Sequence, residues 1–261
     1  MNPIVKEVLK KIEYYGYKAY LVGGYPRDYY MGKESTDFDI CTSAPLEKLK
    51  EWFVVEKTNY ASSIIIQEGL KLEITQFRKE FDYMNHRFPG RIEFVPDLIT
   101  DLLRRDFIIN TLCMNKEGDY IDLLNARKDI DSKIIRSVGD PLIKLEEDAL
   151  RILRAIRFAT VLNFTIEEEL SAAMKKKAHL VSNLSYYRKR QELNRIILSE
   201  NRLYGFQLLK DYGLIELLEL EQIEKVTNDM SFLEVWNMID PNRKYEYTKE
   251  EKRKLKELNS F

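Results

Sequence analysis

The spacing of hydrophobic positions divides the chain into two parts. Up to about Val138, short apolar runs of strand length alternate with short amphipathic segments. From Glu146 onwards, Leu, Ile and Phe recur every three or four residues, which is typical of helices. The pattern predicts an α+β fold: a head with a mixed β-sheet and flanking helices, then an all-helical region. We place the domains at residues 1–138 (head), 139–200 (helical neck) and 201–261 (a partial helical body).

The head contains a regular series of predicted elements. Asn2 and Pro3 provide a cap and a favourable first turn for a helix over residues 4–15. A Glu68-Gly69 turn predicts a β-hairpin, whereas residues 78–90 are polar and predict a loop. The remaining predicted elements are strands at residues 18–22, 37–41, 91–95, 108–114 and 120–123, and helices at residues 26–31 and 43–53.

Composition removes several classes of protein. No apolar run approaches the roughly 18 residues of a membrane span, and the N-terminus lacks a signal-peptide core, so we expect a cytoplasmic protein without a membrane partner. Cys41 and Cys113 lie in apolar runs without a CxxC spacing, which predicts buried reduced thiols. His86 and His179 are the only histidines, which argues against zinc hydrolysis and Ser-His triads. The net charge of −1 means that any surface for nucleic acid is local.

Asp37 and Asp39 are the leading candidates for metal binding. Side chains two apart on a strand point to one face, so these carboxylates would converge. Paired hard oxygen donors beside a phosphate-binding turn suggest magnesium-dependent phosphoryl transfer. Glu73, in an otherwise apolar strand, is a third ligand, the base for an attacking hydroxyl, or a plain edge-strand residue.

The Gly23-Gly24 pair follows a predicted strand and precedes a short helix. Without side chains, such a turn lets a triphosphate approach backbone N–H groups, although a Gly pair alone also fits an ordinary tight turn. Arg27 could donate two hydrogen bonds to a phosphate, and Asp28 would orient Arg27.

A second charged group occurs in the run LLRRDFIIN at residues 102–110. Arg105 would contact phosphates, Asp106 a ribose hydroxyl, and Asn110 the same sugar or the turn itself. The open alternative is that Arg104, Arg105 and Asp106 only take part in a structural salt bridge at a helix end.

The segment EEDALRILRAIRFAT predicts one helix over residues 146–160. Asp148, Arg151, Arg154 and Arg157 recur every three residues and would form a polar stripe on it. One carboxylate acceptor beside a guanidinium fork could read the edge of a nucleobase, and the other arginines would meet phosphate.

Five motifs together resemble the class II tRNA nucleotidyltransferases, a superfamily that includes CCA-adding enzymes and bacterial poly(A) polymerases. They occur in the family's order and cover roughly residues 18–200. The motifs are LVGGYPRD with DFD, ITQFRKEFDYMNHRFP, DLLRRDFIINTL, GDP with EEDALRILRAIRFA, and SYYRKRQEL.

The resemblance implies a transfer reaction in which an RNA 3′-hydroxyl attacks the α-phosphate of CTP or ATP and releases pyrophosphate. It implies that Asp37 and Asp39 hold catalytic Mg²⁺ and that the tRNA 3′ end is the acceptor; no protein partner is evident. Residues 78–89 match the flexible loop associated with adding the terminal A. The implied nucleotide contacts are Gly24, Arg27, Arg105, Asp148, Arg151, Arg154 and Arg157, of which Asp148 and Arg151 serve as an amino-acid template for the base.

Three alternatives stay open at this point. A poly(A) polymerase would use the same head to extend RNA with ATP only. A nucleotidyltransferase acting on an antibiotic or a protein would not need the EEDALRILR segment, and a non-catalytic RNA-binding module would not need paired aspartates. Family members usually carry a longer helical body and tail than the roughly sixty residues that follow the neck here.

Overall fold

A computed structural model describes residues 1–258 of the chain and divides it into two compact units. The first consists of Met1–Asp82 and Pro89–Ser132, and the second of Tyr83–Phe88 and the chain from Lys133 onwards. The division at Ser132 falls earlier than the boundary we placed near Gly139. The predicted neck and body fall in one unit, and residues 259–261 of that body lie outside the described residues.

The first unit contains a seven-stranded mixed sheet with flanking helices, which confirms the α+β class. The strands of this part of the chain are β1 (Ala19–Val22), β2 (Asp39–Thr42), β3 (Val54–Thr58), β4 (Ser62–Gln67), β5 (Leu70–Gln76), β6 (Arg78–Met84), β7 (Phe88–Phe94), β8 (Cys113–Met114) and β9 (Tyr120–Ile121). The end of β6 and the first residue of β7 belong to the second unit. The helices are α1 (Pro3–Tyr14), α2 (Gly24–Tyr30), α3 (Leu46–Trp52), α4 (Leu98–Leu103) and α5 (Ala126–Asp131). The sheet order is β3-β4-β5-β2-β1-β8-β9, and β2 and β5 run parallel.

The two faces of this sheet carry separate apolar clusters because side chains alternate along each strand. On one face, Leu21, Ile40 and Ile74 pack in a cluster with apolar residues of α1 and α3. On the other face, Val22 and Cys41 belong to a smaller cluster with Phe77, Cys113 and the α4 residues Leu98 and Leu102. Helix α1 starts as predicted, because the Asn2 side chain accepts a hydrogen bond from the Ile4 amide.

The prediction of a polar loop over residues 78–90 is wrong. Strands β6 and β7 form a separate two-stranded sheet instead. The side chain of Phe81 lies beneath two cations, the Lys79 ammonium 4.8 Å from its ring and the Arg91 guanidinium 4.2 Å from it. Its apolar surface is therefore covered by charged side chains rather than by a core, and the local sequence looks polar.

Other differences are smaller. The predicted hairpin over Glu68-Gly69 is present, with Gln67 paired to Leu70. Strand β3 and helices α4 and α5 were not predicted. The strand expected over residues 108–114 is a 3-10 turn at Ile108–Asn110 followed by the two-residue strand β8, which pairs with β9 as expected.

The second unit, from Lys133 onwards, is mainly helical. Its elements are β10 (Ile134–Ile135), α6 (Pro141–Glu147), α7 (Leu150–Leu162), β11 (Thr165–Ile166), α8 (Glu168–Lys177), α9 (Tyr186–Ile197), α10 (Arg202–Asp211), α11 (Leu214–Leu217), α12 (Phe232–Ile239) and α13 (Lys249–Leu258). Helix α7 packs closely on α10, since a Cβ on Gly205 would lie 2.6 Å from Oγ1 of Thr160. Among residues 1–258, no helix is both long and apolar enough to cross a bilayer.

The single helix predicted over residues 146–160 is two helices. α6 ends at Glu147, α7 begins at Leu150, and Asp148 between them has extended backbone angles. The Asp148 side chain accepts a hydrogen bond from the Leu150 amide, so it competes with the backbone for helix formation. Asp148 therefore lies at a helix junction and not in a stripe on one helix.

Candidate functional site

The two candidate metal ligands stand at the start of strand β2. Asp39 is its first residue, and Asp37 lies just before the strand, not within it as predicted. Phe38 between them is buried and packs on the Tyr25 ring, with the ring centroids 4.7 Å apart. Asp37 is exposed and Asp39 half-buried, so the burial alternates and places both carboxylates away from the apolar cluster that holds Phe38.

The Gly23 turn lies directly against Asp39. Gly23 has φ 82° and ψ −128°, angles that residues with a side chain rarely adopt. A Cβ on Gly23 would lie 3.7 Å from Oδ2 of Asp39. The missing side chain thus leaves space for a ligand beside a carboxylate, where strand β1 leads into α2.

Glu73 lies beside Asp39 in the sheet, but its position does not indicate that it binds a metal ion. It is the parallel partner of Asp39 on strand β5, which lies inside the sheet, so the edge-strand alternative is wrong. Glu73 is also exposed, which removes the argument that a buried carboxylate there needs a cation. Within the described part of the chain, no three His, Cys, Asp or Glu side chains form a group that could hold a metal ion. The candidate donor set is therefore the pair Asp37 and Asp39.

That pair suits a magnesium ion. Mg²⁺ is commonly held by one or two carboxylates, with waters and substrate phosphates as its other ligands. Asp37 and Asp39 supply two hard oxygen donors on an open side of the strand, and the neighbouring glycine turn leaves room for the phosphates.

Arg27, Asn110 and Asp106 form one buried hydrogen-bonded chain. Nη1 of Arg27 donates to Oδ1 of Asn110 at 2.6 Å, and Nδ2 of Asn110 donates to Oδ1 of Asp106 at 3.2 Å. The expected pair with Asp28 is also present, since Nε of Arg27 donates to its Oδ1 at 2.9 Å. A Cβ on Gly24 would be 3.7 Å from Nη2 of Arg27. The structure thus brings four of the predicted nucleotide-binding residues together.

Arg105 takes part in the salt bridge that we left as an alternative. Its Nη2 donates to Oδ2 of Asp101 at 3.0 Å, while Nε of Arg104 donates to Oδ1 of the same carboxylate at 2.8 Å. Asp101 is fully buried. We did not identify Asp101 from the sequence, although its spacing of three and four residues from the two arginines was a usable signal.

In the second unit, Asp148 has partners on both oxygens. Oδ1 accepts from the Leu150 amide at 3.0 Å, and Oδ2 accepts from Nη1 of Arg87. Burial raises the pKa of Asp148 above its ordinary value of 3.8, although the charges of Arg87 and Arg151 act in the opposite direction. Arg87 is a further residue that we did not single out from the sequence.

Arg151 is held beside this carboxylate. Its Nη1 donates at 2.8 Å both to the Lys144 carbonyl and to Oε2 of Glu147. Its guanidinium also lies 6.0 Å from the ring of Tyr83. The helix junction therefore presents an acceptor from Asp148 and a fixed guanidinium from Arg151, the two functions that base reading requires.

The other two arginines of the predicted stripe differ from each other. Arg154 is half-buried, with its guanidinium 5.5 Å from the Phe158 ring. Arg157 is buried, and its Nε donates to Oε2 of Glu192 on α9. Burial lowers the pKa of Arg157 to about 10, against the raising effect of Glu192. Arg157 thus joins α7 to α9, and of the three arginines only Arg154 is partly exposed.

Two family descriptions match this chain. The family described as "Poly A polymerase head domain" covers residues 19–136, and "Probable RNA and SrmB- binding site of polymerase A" covers residues 163–224. The chain is also 39% identical over 195 residues to the CCA-adding enzyme of Bacillus pumilus (strain SAFR-032), covering 73% of this chain and 48% of that protein. It is 38% identical over 245 residues to the CCA-adding enzyme of Staphylococcus haemolyticus (strain JCSC1435), covering 90% and 60%.

Solved structures are similar as well. The CCA-adding enzyme of Bacillus stearothermophilus in complex with CTP matches with a TM-score of 0.77 and 30% identity, over 84% of this chain and 55% of that one. A tRNA nucleotidyltransferase complexed with a primer tRNA and an incoming ATP analog matches with a TM-score of 0.68 and 26% identity, over 84% and 64%. The chain spans about half the length of the curated relatives it matches. The chain matches both of these family descriptions, and it belongs to the family of tRNA nucleotidyltransferases and poly(A) polymerases.

Proposed function

We propose that this chain adds CCA, or its terminal A, to the 3′ end of tRNA with CTP and ATP as substrates. The observation that carries the proposal is the pair Asp37 and Asp39, which alternate with buried Phe38 beside the open Gly23 turn. The similar proteins named CCA-adding enzymes support it, as do similar structures whose descriptions name CTP, a primer tRNA and an ATP analog.

Asp37 and Asp39 would hold Mg²⁺, which when bound lowers the pKa of the RNA 3′-hydroxyl and neutralises charge on pyrophosphate. The hydroxyl oxygen attacks the α-phosphorus, and the bond to the pyrophosphate oxygen breaks. Arg27 is fixed by Asp28 and Asn110, so it is oriented before a triphosphate arrives. Such transfers depend chiefly on positioning and charge stabilisation, which these side chains provide.

We propose that residues of the second unit select the base. Asp148 accepts and Arg151 donates hydrogen bonds, and together they can match the edge of cytosine or adenine without a nucleic-acid template. Arg154 would contact phosphate. Arg157 acts indirectly, because its buried ion pair with Glu192 holds α7 against α9.

The β6–β7 hairpin supports the proposal that the terminal A is added, because it contains the segment that resembles the family's flexible loop. A cytoplasmic location is part of the proposal. Cys41 and Cys113 are both free and buried, as is usual for proteins in a reducing compartment.

The test is an incorporation assay with a tRNA that lacks its 3′ CCA. Labelled CTP and ATP are supplied separately and together, with Mg²⁺ present and after its removal by chelation. We expect two C residues and one A, no product after chelation, and no product from a folded Asp39→Asn variant. Asp119→Asn, in the β8–β9 turn, is the matched control and should be fully active.

Each other outcome has a defined meaning. Long A tracts from ATP alone would identify a poly(A) polymerase. Binding of tRNA without any incorporation would identify a non-catalytic RNA-binding module, and normal turnover by a folded Asp39→Asn variant would exclude the metal assignment.

A further inference from the structure

Asp101 is a carboxylate buried among arginines, and both of its side-chain oxygens accept hydrogen bonds. It is 0% exposed on helix α4. Its Oδ2 accepts from Nη2 of Arg105, and its Oδ1 accepts from Nε of Arg104 and from the backbone amide of Arg78. A buried carboxylate is costly unless it is paired in this way. The single side chain of Asp101 therefore fixes three donors from three different residues.

The group around Asp101 has more positive than negative charge. Arg78, Arg104 and Arg105 stand against two carboxylates, since Glu80 pairs with Arg78 and Arg104 while Asp101 pairs with Arg104 and Arg105. Over the described residues, the buried Nε of Arg105 and Nη1 of Arg78 have no hydrogen-bond partner. A group with surplus positive charge and unused donors is suited to an anion.

The residues around Asp101 lie on the same face of the sheet as Asp39. Helix α4 packs on the face of the sheet that holds Cys41, because its Leu98 and Leu102 share one apolar cluster with Cys41, and Arg105 is bonded to Asp101 of this helix at 3.0 Å. Cys41 follows Asp39 by two residues on strand β2, so their side chains share one face of the sheet. Arg105 therefore lies on the face of the first unit that carries the proposed metal site.

We propose that Asp101 is a positioning residue: it orients Arg105 toward the triphosphate of the incoming nucleotide. The inference rests on the proposed function. Asp101 does not contact the substrate but fixes the guanidinium that does, and through the Arg78 amide it holds the start of β6 in the same register. Without Asp101, the Arg105 guanidinium would stay charged but would no longer be held in one orientation.

The main experiment compares Asp101→Asn, Arg105→Gln and the double variant. In an asparagine one of the two acceptor oxygens becomes an NH₂ donor and the negative charge is lost, so the side chain cannot accept hydrogen bonds at both of the positions that face Arg104 and Arg105. Loss of one charge-assisted hydrogen bond corresponds to about a tenfold effect, so we expect KM for both CTP and ATP to rise about tenfold, with kcat changed less than about threefold. The double variant should match Arg105→Gln alone, because Asp101 acts through Arg105.

A purely structural role would give a different result. Asp97 caps the same helix by accepting from the Thr100 amide at 2.9 Å, so Asp97→Ala should lower Tm without raising KM. If Asp101→Asn does not fold, Asp101→Glu keeps the charge but moves the carboxylate by one methylene, and it should raise KM in the same way.

The proposal is overturned by an unchanged KM in either Asp101 variant, by effects of Asp101→Asn and Arg105→Gln that multiply, or by an equal KM increase in Asp97→Ala. Absence of incorporation by the wild-type protein in this assay would instead overturn the proposed function, and this inference with it.

Discussion

Arg87 and Asp148 form an ion pair in the second unit, in which Nη1 of Arg87 donates to Oδ2 of Asp148. The other oxygen of Asp148 accepts from the Leu150 amide. The carboxylate proposed to read the base therefore already has a guanidinium partner from the tip of the β6–β7 hairpin. A base that uses this oxygen must share it with Arg87 or replace Arg87.

We expect Arg87→Ala to change which nucleotide is added. Arg87 lies in the segment that resembles the loop used for adding A, so its loss should reduce ATP incorporation relative to CTP by about tenfold, the value of one charge-assisted hydrogen bond. Competition between labelled CTP and ATP on a trimmed tRNA measures this ratio. Lys79→Ala, on the same hairpin with its ammonium over Phe81, is the control and should leave the ratio unchanged. An unchanged ratio in Arg87→Ala would show that the pair is only structural.

The raised pKa of Asp148 predicts a stability cost at neutral pH. Because burial raises the folded pKa above the ordinary 3.8, the contribution of Asp148 to stability is present below the unfolded pKa and is lost as pH rises through the folded pKa. Asp148→Asn should therefore raise Tm at about pH 7 but not at about pH 4, while discrimination against GTP and UTP is lost. Discrimination by the wild-type protein should also weaken as pH falls toward this raised pKa. A lower Tm for Asp148→Asn at neutral pH would contradict the argument.

Arg151→Ala should relax the choice between CTP and ATP more than it slows the chemical step. The guanidinium of Arg151 is fixed by the Lys144 carbonyl and Glu147, so it can present a constant donor pattern to a base. We expect kcat to fall less than the CTP/ATP preference, measured in the same competition assay. If the preference is retained, Arg151 has no part in templating.

Local patterns were enough to propose the candidate site residues that lie close together in the chain. The period-two spacing of Asp37 and Asp39, and the turn before Arg27, needed only nearby residues. The β6–β7 hairpin was missed because Phe81 is covered by cations and not by a core. The break at Asp148 was missed because a side-chain hydrogen bond to the Leu150 amide overrides a strongly helical sequence.

Contacts between distant segments could not be predicted by spacing at all. Arg157 has the same three-residue spacing as Arg151 and Arg154, yet it pairs with Glu192, which is 35 residues away in the chain. Only the packing of α7 on α9 determines that this arginine is buried while Arg154 is half-buried.

Glu192→Gln should therefore destabilise the protein by about 3–5 kcal/mol, because it leaves the Arg157 charge buried without its partner. Replacing both residues, as Arg157→Met with Glu192→Leu, should recover most of that loss. Denaturant unfolding measures both effects. If Arg157 acts only through packing, the double variant keeps its KM for CTP, whereas a large increase in KM would restore Arg157 as a direct nucleotide contact.

Gly23→Ala should reduce kcat strongly while the protein stays folded. The backbone of Gly23 has φ 82°, so a side chain there brings strain of about 1–3 kcal/mol and also a methyl group about 3.7 Å from Oδ2 of Asp39. Gly118→Ala brings comparable strain at φ 95° in the β8–β9 turn, where a Cβ would meet nothing within 4 Å. Both variants should lose similar Tm, but only Gly23→Ala should lose incorporation. Equal activity of the two variants would mean that the substrate does not use the space beside Asp39. Backbone strain alone would then explain why residue 23 is a glycine.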